Sequence, residues 1–213
     1  ELQKTNSTLD TLDIGGGLGV PYEKKKFYTA KIVTSKIVKI LKNLSDKAGI
    51  KHPNLAVEWG QYIVAPAQVT LYKVLSEKAI PKANAKAWYI VDGSFMNDLK
   101  DTWAIHQKFH VIPANNMHGA LKPVWLAGST CDSDDKYTAG GNYILLPKLH
   151  ESKDQLMAVL DTGAYQDGLS SHHCLLSNPM KIVAQDGVIK IARKRENADS
   201  IGKIFGWTNG DHK

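Results

Sequence analysis

Leu12-Asp13-Ile14 runs directly into Gly15-Gly16-Gly17, and Gly19 follows two residues later. Lacking a Cβ, such a turn takes positive φ angles and aims several backbone N–H groups at one anion, an approach that bulkier residues forbid. A phosphate is the usual guest; a flexible strand exit is the plainer alternative. The context favours the first. Thr8 to Gly17 reads as a strand with its loop, and Ala30 to Ala48 reads as a helix. Val33, Ile37, Ile40, Leu41, Leu44 and Ala48 recur there at three- and four-residue steps, and Gly49 ends the run. Asn54 to Gln61 reads as a second strand ending in a charged residue and a glycine. Strand, helix, strand is the repeat of a parallel sheet, with the glycines at a strand's C-terminal end, where α/β barrels and open sheets keep their ligands.

From Val64 the texture changes to short β-like runs: Val69 to Leu75, Ala87 to Val91, His106 to Ile112, Val124 to Leu126, Tyr143 to Pro147, Gln155 to Leu160 and Lys181 to Ala192. Turn residues such as Pro81, Gly93, Pro113, Gly119, Gly140-Gly141 and Asp186-Gly187 separate them. This predicts a second, all-β domain over 66–213 after an α/β part over 1–65. Asp199 to Phe205 reads as one short helix, and Thr208 to Lys213 as a frayed tail.

With 213 residues, 43% of them hydrophobic, the chain can bury a proper core. The net charge of +6 comes from scattered lysines, Lys24 to Lys26 being the longest run, without interleaved aromatics. That describes solvated surface rather than a nucleic-acid-binding face. Cys131 and Cys174 lie far apart in sequence and form no secreted disulfide framework, which makes a reducing cytoplasm the expected compartment. No apolar run reaches the roughly 18 residues of a membrane span, and nothing at the start of the sequence resembles a signal peptide. Beginning at Glu1 directly before a strand and a ligand loop, the chain is expected to start inside a larger fold.

Glu58 stands at the predicted tip of the second strand, where it would share a rim with the glycines. A carboxylate there can be a metal ligand, a general base or the partner of a cationic ring nitrogen; a cap or surface role is the plain alternative. Thr130-Cys131-Asp132-Ser133-Asp134-Asp135 places one cysteine beside three acids. No second ligand stands at zinc spacing. Nearby carboxylates favour the neutral thiol, whose free pKa is about 8.5, so Cys131 suits proton donation better than thiolate attack. The acids are either an ordinary solvated turn or an attractor for a cationic substrate end. Asp98 and Asp101 form a second acidic loop, and Asp161-Thr162-Gly163-Ala164-Tyr165 a turn presenting Tyr165, which taken alone reads as a buried structural tyrosine. His172 and His173, next to Cys174, read as structural or surface residues.

Taken in order, Asp13-Ile14-Gly15-Gly16-Gly17, Glu58-x-Gly60, Asp101-Thr102-Trp103, Cys131-Asp132-Ser133-Asp134 and Gly163-Ala164-Tyr165 resemble the second half of the pyridoxal-phosphate-dependent ornithine, diaminopimelate and arginine decarboxylases, fold type III. The resemblance runs from about Leu9 to Trp207 and is nearest to the biosynthetic arginine branch, through Cys-Asp-Ser-Asp, Asp-Thr-Trp and Gly-Ala-Tyr-Gln. It implies an α/β plus all-β chain: 1–65 the last βα units of an incomplete, alanine-racemase-like (β/α)8 barrel, and 66–213 a C-terminal β-sandwich or barrel domain. The implied cofactor is pyridoxal 5'-phosphate, with Mg2+ as a further candidate. Gly15, Gly16 and Gly17 would hold its phosphate, with Tyr165 adding a hydroxyl and Gly60 and Gln61 adjoining. Glu58 would pair with the pyridine nitrogen and Cys131 would reprotonate Cα. Asp101, Asp132 and Asp134 would meet the substrate's distal cation, the Cys131-Asp132 loop reaching into the neighbouring subunit's site of a homodimer. The implied reaction is arginine to agmatine and CO2, in polyamine and spermidine biosynthesis. A zwitterionic distal end needs an arginine together with an acid, whereas a guanidinium needs acids only.

Two departures stand out. Many members carry Glu-Pro-Gly-Arg, whose Arg meets the phosphate, where this chain has Glu58-Trp59-Gly60-Gln61. None of its lysines matches the Schiff-base motif, so the piece alone is expected not to turn over arginine. The rival readings are a decarboxylase of ornithine, lysine or a carboxylated polyamine, a non-catalytic regulatory homologue, and a basic nucleic-acid-binding protein with steep salt dependence.

Overall fold

Strand β1 (Thr11–Asp13) pairs in parallel with β2 (Asn54–Ala56), Thr11 opposite Asn54. Helix α1 (Ala30–Ala48) connects them. The computed structural model describes residues 10–22, 28–138 and 141–208. Helix α1 is bounded by its own sequence: the Thr29 hydroxyl accepts the Ile32 N–H at 3.3 Å, and Gly49 closes the last turn at φ 64°. The second strand stops at Ala56 instead of running to Gln61. The Glu58 N–H turns to the Gly15 carbonyl, Gly60 N–H folds back onto the Glu58 carbonyl, and α2 (Gly60–Val64) begins. A 3-10 turn at Ala65–Ala67 follows, after which the chain divides into two compact units, Glu1–Ala67 and Gln68–Lys213.

The second unit holds β3 (Thr70–Ala79), β4 (Ala87–Val91), α3 (Phe95–Asp98), α4 (Lys100–Ala104), β5 (Val111–Pro113), β6 (Leu121–Ala127), β7 (Lys136–Tyr137), β8 (Ile144–Pro147), β9 (Gln155–Val159), β10 (Lys181–Gln185), β11 (Val188–Arg193) and α5 (Ala198–Ile204). Seven strands form one sheet in the order β5-β9-β3-β4-β6-β7, with β8 also on β6. All its pairs are antiparallel except β4 with β6. Strand β4 shows why: Ala87, Tyr89 and Val91 are buried while Trp88 and Ile90 are only partly so, the period-2 pattern of a strand with one core face. Tyr89, Val91, Phe95, Leu99, Val124, Leu126, Leu146, Met157 and Val159 form the core. Across the parallel pair, Trp88 lies against Trp125 with ring centroids 5.1 Å apart.

Several expectations need correction. The second unit is not all-β: three short helices interrupt it, and its strands make one seven-stranded sheet plus a separate β10–β11 hairpin. The segment around Asp98 and Asp101 is helical, with Ser94 capping α3 by accepting the Asn97 N–H at 3.2 Å. The strand expected from His106 begins only at Val111, because His106 is left-handed (φ 53°) and the Tyr137 hydroxyl takes both the N–H and the carbonyl of Phe109. Of the expected frayed tail, residues beyond Thr208 lie outside the described ones, as do Lys24 to Lys26.

Candidate functional site

In the first unit, Ile14 N–H continues the parallel ladder onto the Ala56 carbonyl, and the glycines then leave it. Gly15 donates its N–H to the Asp13 carboxylate at 2.8 Å and accepts the Glu58 N–H at 2.9 Å. Gly15 and Gly17 stand at φ 71° and 94°, where a Cβ is strained, and a Cβ on Gly16 would lie 3.2 Å from the Glu58 carbonyl oxygen. The loop is therefore glycine for conformation at two positions and for space at the third. Among the described residues, no group takes the amide hydrogens of Gly16 and Gly17. The loop borders a cavity of about 380 Å³ whose walls include Tyr28, Val33 and Trp59. Exposed Glu58 is joined to this loop through its backbone. Open amides at the end of a strand fit an anion such as a phosphate ester. Gln61 donates to the Tyr22 hydroxyl at 3.1 Å, so position 61 contributes a neutral carboxamide to this unit.

In the second unit, the acidic loop hangs on one carboxylate that sequence reasoning did not single out. Buried Asp135 accepts the Phe95 N–H at 2.8 Å through one oxygen, and the Thr130 N–H and hydroxyl at 3.1 and 2.7 Å through the other. Thr130 in turn accepts the Asp132 N–H at 3.3 Å. Beneath lies Asp98, whose carboxylate accepts the Ser94 N–H at 3.0 Å and the Tyr72 hydroxyl at 3.4 Å. Burial pushes the Asp98 pKa up to about 6, although those two hydrogen bonds oppose it. The same burial, reinforced by the charges of Asp98 and Asp135, raises the Tyr72 hydroxyl well above its ordinary value.

Cys131 is exposed on this loop, and its Sγ lies 3.7 Å from that of Cys174. Hydrogen bonding to Cys174, then the charge of that group, raises the Cys131 pKa, with Asp132 a minor contributor. The direction is the expected one; its main cause is a residue 43 positions away. The segment 172–174 thus lies against the acidic loop, a contact that its sequence position does not announce. His173 Nε2 also lies 3.5 Å from the Asp132 carboxylate, while His172 pairs with Glu196 at 2.8 Å and is structural. Asp134 pairs with Lys136 at 3.1 Å on the surface. Asp101 is buried, its N–H and carboxylate both engaged by the Gln166 carboxamide at 3.1 and 2.7 Å, which suits a residue that orders α4 rather than one that meets a ligand. Tyr165 is 56% exposed at φ 66°, not buried, and its ring is open to solvent. Among the described residues, no group of three or more His, Cys, Asp or Glu is arranged to hold a metal ion, so the Mg2+ candidate acquires no ligand set there. Among the described residues, too, no helix is long and apolar enough to cross a membrane.

Known proteins share this architecture. The model of the pyridoxal-dependent decarboxylase C-terminal sheet domain matches residues 27–163. Diaminopimelate decarboxylase of Methanocaldococcus jannaschii is 29% identical over 205 residues, covering 95% of this chain and 44% of that protein. Its counterpart from Bacillus subtilis is 30% identical over 196 residues, covering 91% and 43%. The chain thus spans less than half the length of these curated relatives. The structure of the biosynthetic arginine decarboxylase from Campylobacter jejuni superposes with a TM-score of 0.81 at 17% identity, over 96% of this chain and 50% of that one, a likeness of fold.

Proposed function

We propose, because this chain belongs to the pyridoxal-dependent decarboxylase family, that it forms the C-terminal part of an enzyme decarboxylating a basic amino acid, with arginine as substrate and agmatine as product. The observation that supports the reading is the backbone link between residue Glu58 and the glycine triplet, two segments at one end of the βαβ unit, the triplet carrying open amides. Pyridoxal 5'-phosphate, when bound, supplies an electron-poor ring that accepts the electron pair released as CO2 leaves. In this reading the amides of Gly16 and Gly17 bind the phosphate, and Glu58 accepts a hydrogen bond from the protonated ring nitrogen. Gly60 and Gln61 line the surroundings of the phosphate. Cys131, kept as a thiol by its neighbour, delivers a proton to the substrate Cα.

Asp132, half-buried and only loosely met by His173, is the acid we assign to the distal cation, with Asp134 in support. Both arginines of the chain, Arg193 and Arg195, lie outside the acidic loop, and Arg193 is committed to Asp167 at 2.8 Å. The loop thus offers acids without the fork that a second zwitterionic end requires, which supports a guanidinium. We assign the loop to a site completed by a second copy in a homodimer. The cofactor's anchoring lysine has no counterpart among these residues, so the activity proposed is that of the whole protein.

Release of CO2 by the whole protein from arginine, ornithine, lysine and diaminopimelate tests the reading. A charge-assisted hydrogen bond contributes about 1.5–3 kcal/mol, so arginine is expected to lead in kcat/KM by at least about tenfold, and Asp132→Asn to remove that lead. A preference for diaminopimelate, the substrate in the names of the curated relatives, would overturn the arginine assignment.

A further inference from the structure

Cys131 and Cys174 meet because two clamps rooted in one short helix hold their segments. Phe95 of α3 gives its N–H to Asp135, which fixes Thr130 on one side of Cys131. Two residues along the same helix, buried Asn97 donates to the His173 carbonyl at 3.0 Å and accepts the His173 N–H at 3.1 Å. Leu175 N–H closes onto the His172 carbonyl at 2.8 Å, and Cys174 between them is left-handed at φ 56°. Both thiols are exposed, hence open to small reagents. The sulfurs, 3.7 Å apart, need to approach by roughly 1.7 Å to reach a disulfide bond length of about 2.05 Å.

We propose that Cys131 and Cys174 are a reversible dithiol–disulfide pair, a modification site for low-molecular-weight disulfides of the glutathione class. One protein thiolate attacks the small disulfide, breaking its S–S bond, forming a mixed disulfide and expelling one small thiolate. The other protein thiolate then attacks the protein sulfur of that mixed disulfide and expels the second. The two protons lost by the cysteines end on the two released thiols, so the protein pair is oxidised by two electrons and the small disulfide is reduced. On the functional reading above, on which this consequence alone rests, closure withdraws the Cys131 proton and halts turnover until a reductant reopens the pair.

The test treats the folded full chain with oxidised glutathione, quenches by alkylation, and reads intact mass and non-reduced peptides. The expected result is joint loss of both free thiols, a Cys131–Cys174 cross-linked peptide and no retained glutathione, all reversed by dithiothreitol. Because the fold holds the sulfurs at high effective concentration, closure should exceed that of the urea-unfolded chain by at least about tenfold. Cys174→Ser should stop at the mixed disulfide, with one glutathione retained on Cys131. A wild-type chain that retains glutathione as the variant does, or that keeps both thiols open to alkylation, overturns the pair. These readouts do not involve decarboxylation: if Cys131→Ala left the whole protein's turnover unchanged, the proton-donor role would fall and the disulfide would stand.

Discussion

The glycine loop and the acidic loop reach a defined shape by opposite means. Gly15 to Gly17 hold theirs chiefly with backbone, through left-handed φ angles at Gly15 and Gly17, a hydrogen bond from Glu58 and one local bond to the Asp13 carboxylate. The acidic loop is made of residues with ordinary conformational preferences and takes its shape from one buried side chain, Asp135, that binds three donors. The first device fails gradually, since a strained loop still has a backbone. The second fails at once, since removing its anchor strands several buried donors.

That contrast can be broken at Asp135. Asp135→Ala is expected to cost about 3–4 kcal/mol, the sum of a few charge-assisted hydrogen bonds, read as a drop in urea midpoint. A loss below about 1 kcal/mol would mean that the loop is held otherwise. Asp98 sharpens the picture through pH. Its folded pKa, about 6, lies above its ordinary 3.8, so its contribution to stability is complete below about pH 4 and is lost as pH rises through about 6. Asp98→Asn should flatten that slope, sparing on the order of 2–3 kcal/mol between acid and neutral pH, as followed by denaturation at a series of pH values. The glycine loop should respond less. Gly17→Ala is expected to cost about 1–2 kcal/mol, seen as roughly tenfold faster amide hydrogen exchange at Glu58 and no change at Phe95. Thr29→Ala, outside both loops, should cost about 1 kcal/mol of helix α1.

The same contrast explains what could be read from the chain. Helix α1 was legible to the residue, because its apolar stripe and its terminal glycine are local signals. So was β4, a short aromatic and β-branched run, and the Asp186-Gly187 turn of the β10–β11 hairpin. The glycine triplet declared itself because only glycine fits there. Helices α3 and α4, by contrast, are single turns stabilised by Asp135 and Gln166, partners 40 and 65 residues distant, and the Ser94 cap of α3 is too slight a local signal to announce them. Asp135 looked like one more surface acid in a run of them. The Cys131–Cys174 contact was hidden for the same reason, being a product of tertiary clamps and not of spacing.

One crowded spot carries a last consequence. A Cβ built on Gly128 would fall 2.2 Å from the Asp135 carboxylate oxygens, which three donors hold in place. A single methyl group at position 128, whose N–H already bonds the Asp135 carbonyl, would therefore displace the anchor of the acidic loop. The dependence runs one way: where the aspartate persists the glycine must persist with it, and a sequence carrying a side chain at 128 should be found to have lost the aspartate.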